Sequence, residues 1–245
     1  RAGQGAVEIP AEMLAVLQRA SELSRLSEGA FDITVGAYDG WSFGEAGARV
    51  PSDAELREAR RLVDFRDVRV GDGQARLARP GMRIDLGGVA KLPILQAGLR
   101  VLEQRGLRNA MINGGGDVLT RGQLDGRDWR VGIRDPRRPD HLIGTVRLGD
   151  GCVVSSGDYE RSFMRNGRRY HHVLDPATGH PTQGVRGAVM VARHPGMVNG
   201  LGAAIMAAGA PAGQALLAAL PEVDGLIVDG RHAVHATGRM MQNLA

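Results

Sequence analysis

Val153-Val154-Ser155-Ser156-Gly157-Asp158-Tyr159-Glu160-Arg161 runs from an apolar strand straight into a polar, charged cluster. β-Branched residues suit a pleated, half-buried surface. A loop bearing acid, phenol and base at the end of such a strand is where sites tend to lie. By itself the cluster reads equally as an exposed turn closed by an ion pair of its own.

Working outward from it, helices and strands mix without a strict βαβ rhythm. Pro10 to Ser27 spaces Met13, Leu14, Val16, Leu17, Ala20, Leu23 and Leu26 as one helical face, ended by Gly29. Phe31 to Gly36 reads as a short extended piece or loop. Ser52 followed by Glu55 is a capping-box pattern opening a helix to about Val63. Val68-Arg69-Val70 and Ala75-Arg76-Leu77 alternate around Gly71-Asp72-Gly73 as a hairpin. The strand Ile84-Asp85-Leu86 leads through Gly87-Gly88 into a helix to about Gln104, and Pro93 suits only a first turn, where amides lack partners anyway. Further strands are expected at Ala110 to Ile112, Val118-Leu119, Trp129 to Ile133, Ile143 to Leu148, His171 to Leu174 and Ala188 to Ala192. Helices follow at about Met197 to Ala208 and Pro211 to Leu220, then a hairpin of Leu226 to Val228 with His232 to His235. The expected class is α+β, with one substantial sheet or two packed sheets.

The 245 residues suffice for a sizeable core. A hydrophobic share of 43% excludes a mainly disordered chain. The net charge of +4 contains no run of five like charges, and aromatics are only 4%, so neither a basic nucleic-acid arm nor a basic-aromatic platform is present. The mild surplus fits an anionic substrate or an ordinary solvated surface. Cys152 is the sole cysteine; it excludes a disulfide within the chain and reads as a small buried hydrophobe. No apolar run approaches the ~18 residues of a membrane-spanning helix.

Four more stretches carry chemical character. Asp85-Leu86-Gly87-Gly88-Val89-Ala90-Lys91 puts glycines where a helix begins, a place that favours anions, though a plain turn would look the same. Asn113-Gly114-Gly115-Gly116-Asp117 is either a nest for oxygens or a bulge. In Tyr170-His171-His172-Val173-Leu174-Asp175-Pro176-Ala177-Thr178-Gly179, adjacent histidines on a strand point to opposite faces. That argues against a paired-histidine metal clamp and leaves one as a candidate base or as a structural group. Phe31 to Gly36, with Trp41-Ser42-Phe43-Gly44 behind it, offers aromatics to stack on a flat ring or to plug a core.

Together the five stretches resemble the ApbE family, the FAD:protein FMN transferases. That family shows Phe-Asp-Pro-Thr-Val-Gly, Trp-Gly-Phe-Gly, Asp-Leu-Gly-Gly-(Ile/Val)-Ala-Lys-Gly, Asn-x-Gly-Gly-Asp, Ser-Gly-Asp-Tyr-Glu-Arg and His-x-(Ile/Leu)-Asp-Pro-x-Thr-Gly, in the order found here. The match runs from about Ser27 to the C-terminus. The resemblance implies a two-lobed, T-fold-like α+β architecture with a mixed or antiparallel sheet and flanking helices. It implies FAD in a cleft, and transfer of FMN from FAD to a threonine or serine hydroxyl of an electron-transfer partner, with release of AMP and help from Mg²⁺. It assigns Trp41, Ser42, Phe43, Asp85, Lys91 and Leu174 to FAD, His172 to the base, and Gly88 and Asn199 to the metal. It further implies a periplasmic or membrane-anchored lipoprotein, touching membrane only through a lipid anchor this chain lacks. A single domain over residues 1–245 is expected, with the family's N-terminal part missing.

The chain departs from the family at three places. Leu92 stands where the family has glycine after the lysine. Asn199 replaces an aspartate and Ala203 a threonine, both metal ligands in the family. An amide oxygen brings no charge to a Mg²⁺ site and alanine brings no oxygen. The departures define the alternative reading, a catalytically impaired FAD-binding or scaffolding relative that lacks the metal ligands.

Overall fold

Strands that are apolar on both faces need cover on both sides, and the main sheet has it. The computed structural model describes residues 2–44 and 47–244. In chain order its elements are β1 (Val7–Glu8), α1 (Ala11–Leu26), a 3-10 turn (Ile33–Ala37), α2 (Asp53–Arg60), a second 3-10 turn (Phe65–Asp67), β2 (Val68–Gly71), β3 (Gln74–Leu77), α3 (Gly87–Gln104), β4 (Ala110–Gly114), β5 (Asp117–Arg121), β6 (Trp129–Asp135) and β7 (Arg138–Leu148). Then come β8 (Gly151–Gly157), β9 (Ser162–Arg165), β10 (Arg168–His171), β11 (Val185–Ala192), α4 (Pro195–Val198), α5 (Leu201–Ala208), α6 (Ala210–Ala218), β12 (Asp224–Asp229), β13 (Val234–Ala236) and α7 (Gly238–Asn243).

Six strands form one sheet in the order β13-β12-β11-β8-β5-β4, antiparallel throughout. Side chains alternate across it with period two. Leu119, Cys152, Val154, Ala188, Met190 and Ile227 enter the larger core with α1, α3, α5 and α6. Val118, Val153, Val189, Leu226 and Val228 enter a second core with Val131, Ile133 and Val146 of the β6–β7 ribbon and Met240 of α7. Of the two expected arrangements, one substantial sheet is the outcome, with a two-stranded ribbon across its back. The small sheet β1-β3-β2, the two-stranded sheet β10-β9 and the cluster of Ala37, Tyr38, Leu56 and Val63 beside α2 complete the fold.

The capping box forms as expected: Ser52 Oγ accepts from the Glu55 amide, and the Glu55 carboxylate accepts from the Ser52 amide at 2.8 Å. Other elements differ from the sequence reading. Of the two readings of Phe31 to Gly36 the loop is nearer: Asp32 is extended, and its Oδ1 accepts from the Thr34 amide at 2.7 Å and starts a 3-10 turn at Ile33. Ile84 to Leu86 pairs with no strand. Pro93 lies well inside α3 rather than in its first turn. The expected helix from Met197 to Ala208 is two helices, broken at Asn199-Gly200. Gly200 has φ 80°, and a Cβ there would meet Leu23 and Val89 at 2.6 and 2.8 Å. The expected strand from His171 to Leu174 ends at His171, so His172 lies just past it.

Ile205 is fully buried between α6 and the sheet, whereas Ile94 on α3 is 67% exposed. Ile205→Ala should cost about 2–5 kcal/mol in denaturant unfolding. Ile94→Ala should cost about 0.5 kcal/mol or less. Equal costs would contradict this placement of the core.

Candidate functional site

The apolar run of β8 ends at Val154, and Ser155, Ser156 and Gly157 emerge into a cleft of about 380 Å³. That volume lies in the range of small-molecule sites. Its other walls are Ala30 to Ile33 and Val35, the first turns of α3, the start of β5, Glu160-Arg161, His172 to Leu174, and the α4–α5 break with Ala203 and Ala207. The five chemical stretches, far apart in sequence, thus all contribute to one cavity.

Close approach creates the floor. Gly88 lies under the Phe31 ring, where a Cβ would stand 3.0 Å from Cε2. A Cβ on Gly202 would run into Ser156. Gly88 is nonetheless exposed at the start of α3, where backbone amides without helix partners favour anions. Asp85 Oδ1 accepts from the Gly87 amide at 2.7 Å and fixes that entry. The triple glycine is a tight hairpin: Gly114 pairs with Asp117, and Gly115 and Gly116 both take positive φ, as a type I′ turn requires.

Lys91 Nζ is 2.8 Å from Asp117 Oδ2, and Asp117 Oδ1 accepts from the Ser155 amide at 3.1 Å. Burial pushes the Asp117 carboxyl above the usual range, against the pull of Lys91. Asp32 is likewise raised by burial, opposed by hydrogen bonds from Thr34. Arg161, exposed and at φ 37°, makes no ion pair among the described residues.

The two histidines separate as their alternation demands. His171 is buried, with Nε2 3.0 Å from the Thr182 carbonyl. His172 lines the cleft, with Nδ1 3.2 Å from the Glu160 carbonyl. A carbonyl only accepts, so Nδ1 carries the proton and Nε2 presents its lone pair. Burial first, and then the Arg161 charge, lowers the His172 pKa below its usual 6.5.

Of the residues singled out in the sequence, His172, Asp85, Lys91, Leu174, Gly88, Asn199 and Ala203 line the cleft. Trp41, Ser42 and Phe43 do not. Trp41 donates Nε1–H to the Gly179 carbonyl at 2.8 Å and stacks on Phe43 at 5.5 Å, next to Tyr170 at 5.7 Å. Asp158 is held away from the cavity by Arg169 and Arg186 at 3.3 and 2.7 Å, not by a partner in its own loop. Leu92 is buried in the core at 2% exposure as well as touching the cleft. Arg161, Ser155, Ser156 and Asp117 sat in the quoted stretches without being singled out; the polar run after an apolar strand was their signal. Asp32 carried none beyond its place beside Phe31.

A resident Mg²⁺ does not fit these residues. Mg²⁺ wants about six oxygens in octahedral geometry, usually with one or two carboxylates. Asn199 turns its amide nitrogen to the Val89 carbonyl at 2.8 Å, and Ala203 has no oxygen to give. Among the described residues no three His, Cys, Asp or Glu side chains converge as a metal-binding group.

The chain matches the ApbE family over residues 1–227, further toward the N-terminus than the stretch from Ser27. It is 32% identical to the FAD:protein FMN transferase of Treponema pallidum, an alignment covering 100% of this chain and 73% of that protein. It is 33% identical to the FAD:protein FMN transferase of Klebsiella pneumoniae over 74% of this chain, and spans only 57% of that relative's length. The crystal structure of the ApbE protein from Thermotoga maritima superposes with a TM-score of 0.87 at 31% identity, covering 99% of this chain and 81% of that one. The flavin transferase ApbE from Vibrio cholerae gives 0.87 at 26% identity, covering 100% and 80%.

Burial also lowers the His171 pKa below 6.5. The unfolded chain then binds protons more readily than the folded one. The stability carried by the neutral rings is full above about pH 6.5 and is lost as pH falls from there through the lowered folded values. Thermal unfolding between about pH 8 and 5 should give a melting temperature that falls on acidification, with a shallower slope in His171→Gln. An unchanged slope in that variant would remove His171 from the account.

Proposed function

We propose that this chain, which belongs to the ApbE family, binds FAD in the cleft and transfers its FMN half to a threonine or serine hydroxyl of a partner protein, releasing AMP. The observation that carries the reading is the convergence of one neutral histidine and two cations, Lys91 and Arg161, on a cavity opened by Gly88 at a helix start. A dinucleotide brings two linked phosphates. The exposed start of α3 and the two cations favour such an anion.

The acceptor hydroxyl oxygen forms a bond to the phosphorus of the FMN half. The bond from that phosphorus to the bridging oxygen breaks, and AMP leaves with that oxygen. The hydroxyl proton goes to Nε2 of His172, whose Nδ1–H is fixed on the Glu160 carbonyl. A base whose pKa lies below 6.5 is unprotonated at neutral pH and ready for this step. The reaction needs positioning and charge balance more than covalent help from the protein. An electron-transfer protein as acceptor, and a periplasmic or membrane-anchored setting, follow from the family resemblance. Among the described residues no helix is long and apolar enough to cross a membrane.

The test is incubation with FAD and an acceptor domain bearing a threonine, read as an added FMN mass and as free AMP. His172→Gln should leave FAD affinity within about threefold and slow transfer by about a hundredfold or more. FAD binding without FMN transfer or AMP release would instead select the carrier or scaffold reading.

A further inference from the structure

We propose that the cleft holds its dinucleotide without a resident divalent cation. In this account Asn199 is a pin on α3 rather than a metal ligand, and Lys91 with Arg161 carries the positive charge facing the phosphates. The ligand in this inference rests on the FAD reading above; the pin stands on the protein alone.

The pin follows from the chemistry of proline. Inside a helix, each carbonyl accepts from the amide four residues on. Pro93 has no N–H, so the helix supplies no donor to the Val89 carbonyl. Val89 is fully buried, and a buried carbonyl needs a partner. Asn199 Nδ2 donates to it at 2.8 Å, across 110 residues of sequence. Asn199 is itself 5% exposed, and its backbone carbonyl accepts from Arg19 Nε at 3.2 Å. An aspartate at 199 would set a carboxylate against that carbonyl oxygen, with no proton between them. Proline at 93 and asparagine at 199 are therefore complementary, and each makes the other's presence intelligible.

Three of the carboxylates near the cleft already hold partners. Asp85 accepts from the Gly87 amide, Asp117 holds Lys91 and the Ser155 amide, and Asp32 accepts from Thr34 and from the Phe65 amide at 2.8 Å. Glu160 is exposed, and its carboxylate makes no ion pair among the described residues. The two cations differ from each other: Lys91 is paired with Asp117, with its side chain 43% exposed at the cavity wall, and Arg161 is free of ion pairs among the described residues. An unpaired arginine and a lysine beside a helix start can offset phosphate charge that a metal would otherwise offset.

Three measurements decide the proposal. Mn²⁺ titrated into the nucleotide-free protein, followed by electron paramagnetic resonance, should reveal no stoichiometric site in the cleft. Calorimetry should give the same FAD affinity, within about twofold, in EDTA and in Mg²⁺, and Arg161→Gln should weaken it about three- to tenfold in EDTA. Asn199→Ala should lower the melting temperature by several degrees in the wild-type background and by much less in Pro93→Ala, where residue 93 again offers an N–H to Val89. A stoichiometric Mn²⁺ site lost in Asn199→Ala, or FAD binding tightened tenfold or more by Mg²⁺, would overturn the metal-free cleft. An equal cost of Asn199→Ala in both backgrounds would overturn the pin. Absence of FAD binding in both media would sink the FAD reading and the phosphate role of the cations, while the Mn²⁺ titration and the mutant cycle would still judge Asn199.

Discussion

The constraint on which everything else rests is a six-stranded sheet whose two faces are both apolar. Such a sheet cannot leave either face in water. β8 carries the constraint at its centre: Cys152 and Val154 point into the helical core, while Val153 points into the core under the ribbon. The helices and the ribbon are held in place by that alternation. Where the apolar run of β8 stops, cover is no longer needed, and the next residues are Ser155, Ser156 and Gly157 at the cleft. The site lies where the demand for burial ends.

Missing side chains then set the shape of that opening. Gly88 lets the start of α3 lie against the Phe31 ring, and Gly202 brings α5 against Ser156. A methyl group at either position would push a wall away. The break between α4 and α5 has the same logic, because positive φ at Gly200 lets the chain pass Leu23 and Val89. That break carries Asn199 to Val89, while the Arg19 guanidinium binds the carbonyls of Met197 and Asn199 from the other side. The irregular turn is thus tied to α1 and α3 at once.

Much of this was legible in the sequence because the signals were local and periodic. The helix α1, the capping box of Ser52 and Glu55, and the hairpin around Gly71 to Gly73 appear where their residues indicate, though of the expected α1 face Met13 and Leu26 stay exposed. Non-local facts were less legible. Pro93 reads as a first-turn residue because a proline inside a helix loses a hydrogen bond, and nothing nearby announces a replacement donor 106 positions later. The helix break at Gly200 had a local signal in Asn199-Gly200, but the apolar residues on either side of it kept a helical spacing. β9 and β10 escaped notice because charged residues dominate Arg165 to Arg169, which reads as a solvated turn. Convergence of the chemical stretches came from the resemblance, and geometry places most of the singled-out residues around the same cavity.

The exceptions clarify what such a motif contains. Asp175 to Gly179 is built to hold itself and its neighbours: Asp175 accepts from Ala177 and Thr178, and Gly179 takes φ 73° against the Tyr38 ring. The carbonyls of Pro176 and Gly179 accept from Tyr38 and Trp41. Trp41 in turn belongs to a tier of rings with Phe43, Phe163 and Tyr170, the last two stacked at 5.2 Å. Phe163 and Tyr170 pair across the β9–β10 hairpin, whose two ends continue into Arg161 and His172. The aromatic tier therefore reaches the chemistry through backbone position rather than contact. It stiffens the hairpin that holds one cation and one neutral imidazole at the cleft, and Arg161 is near enough to lower the His172 pKa. Displacing this frame displaces the groups it carries.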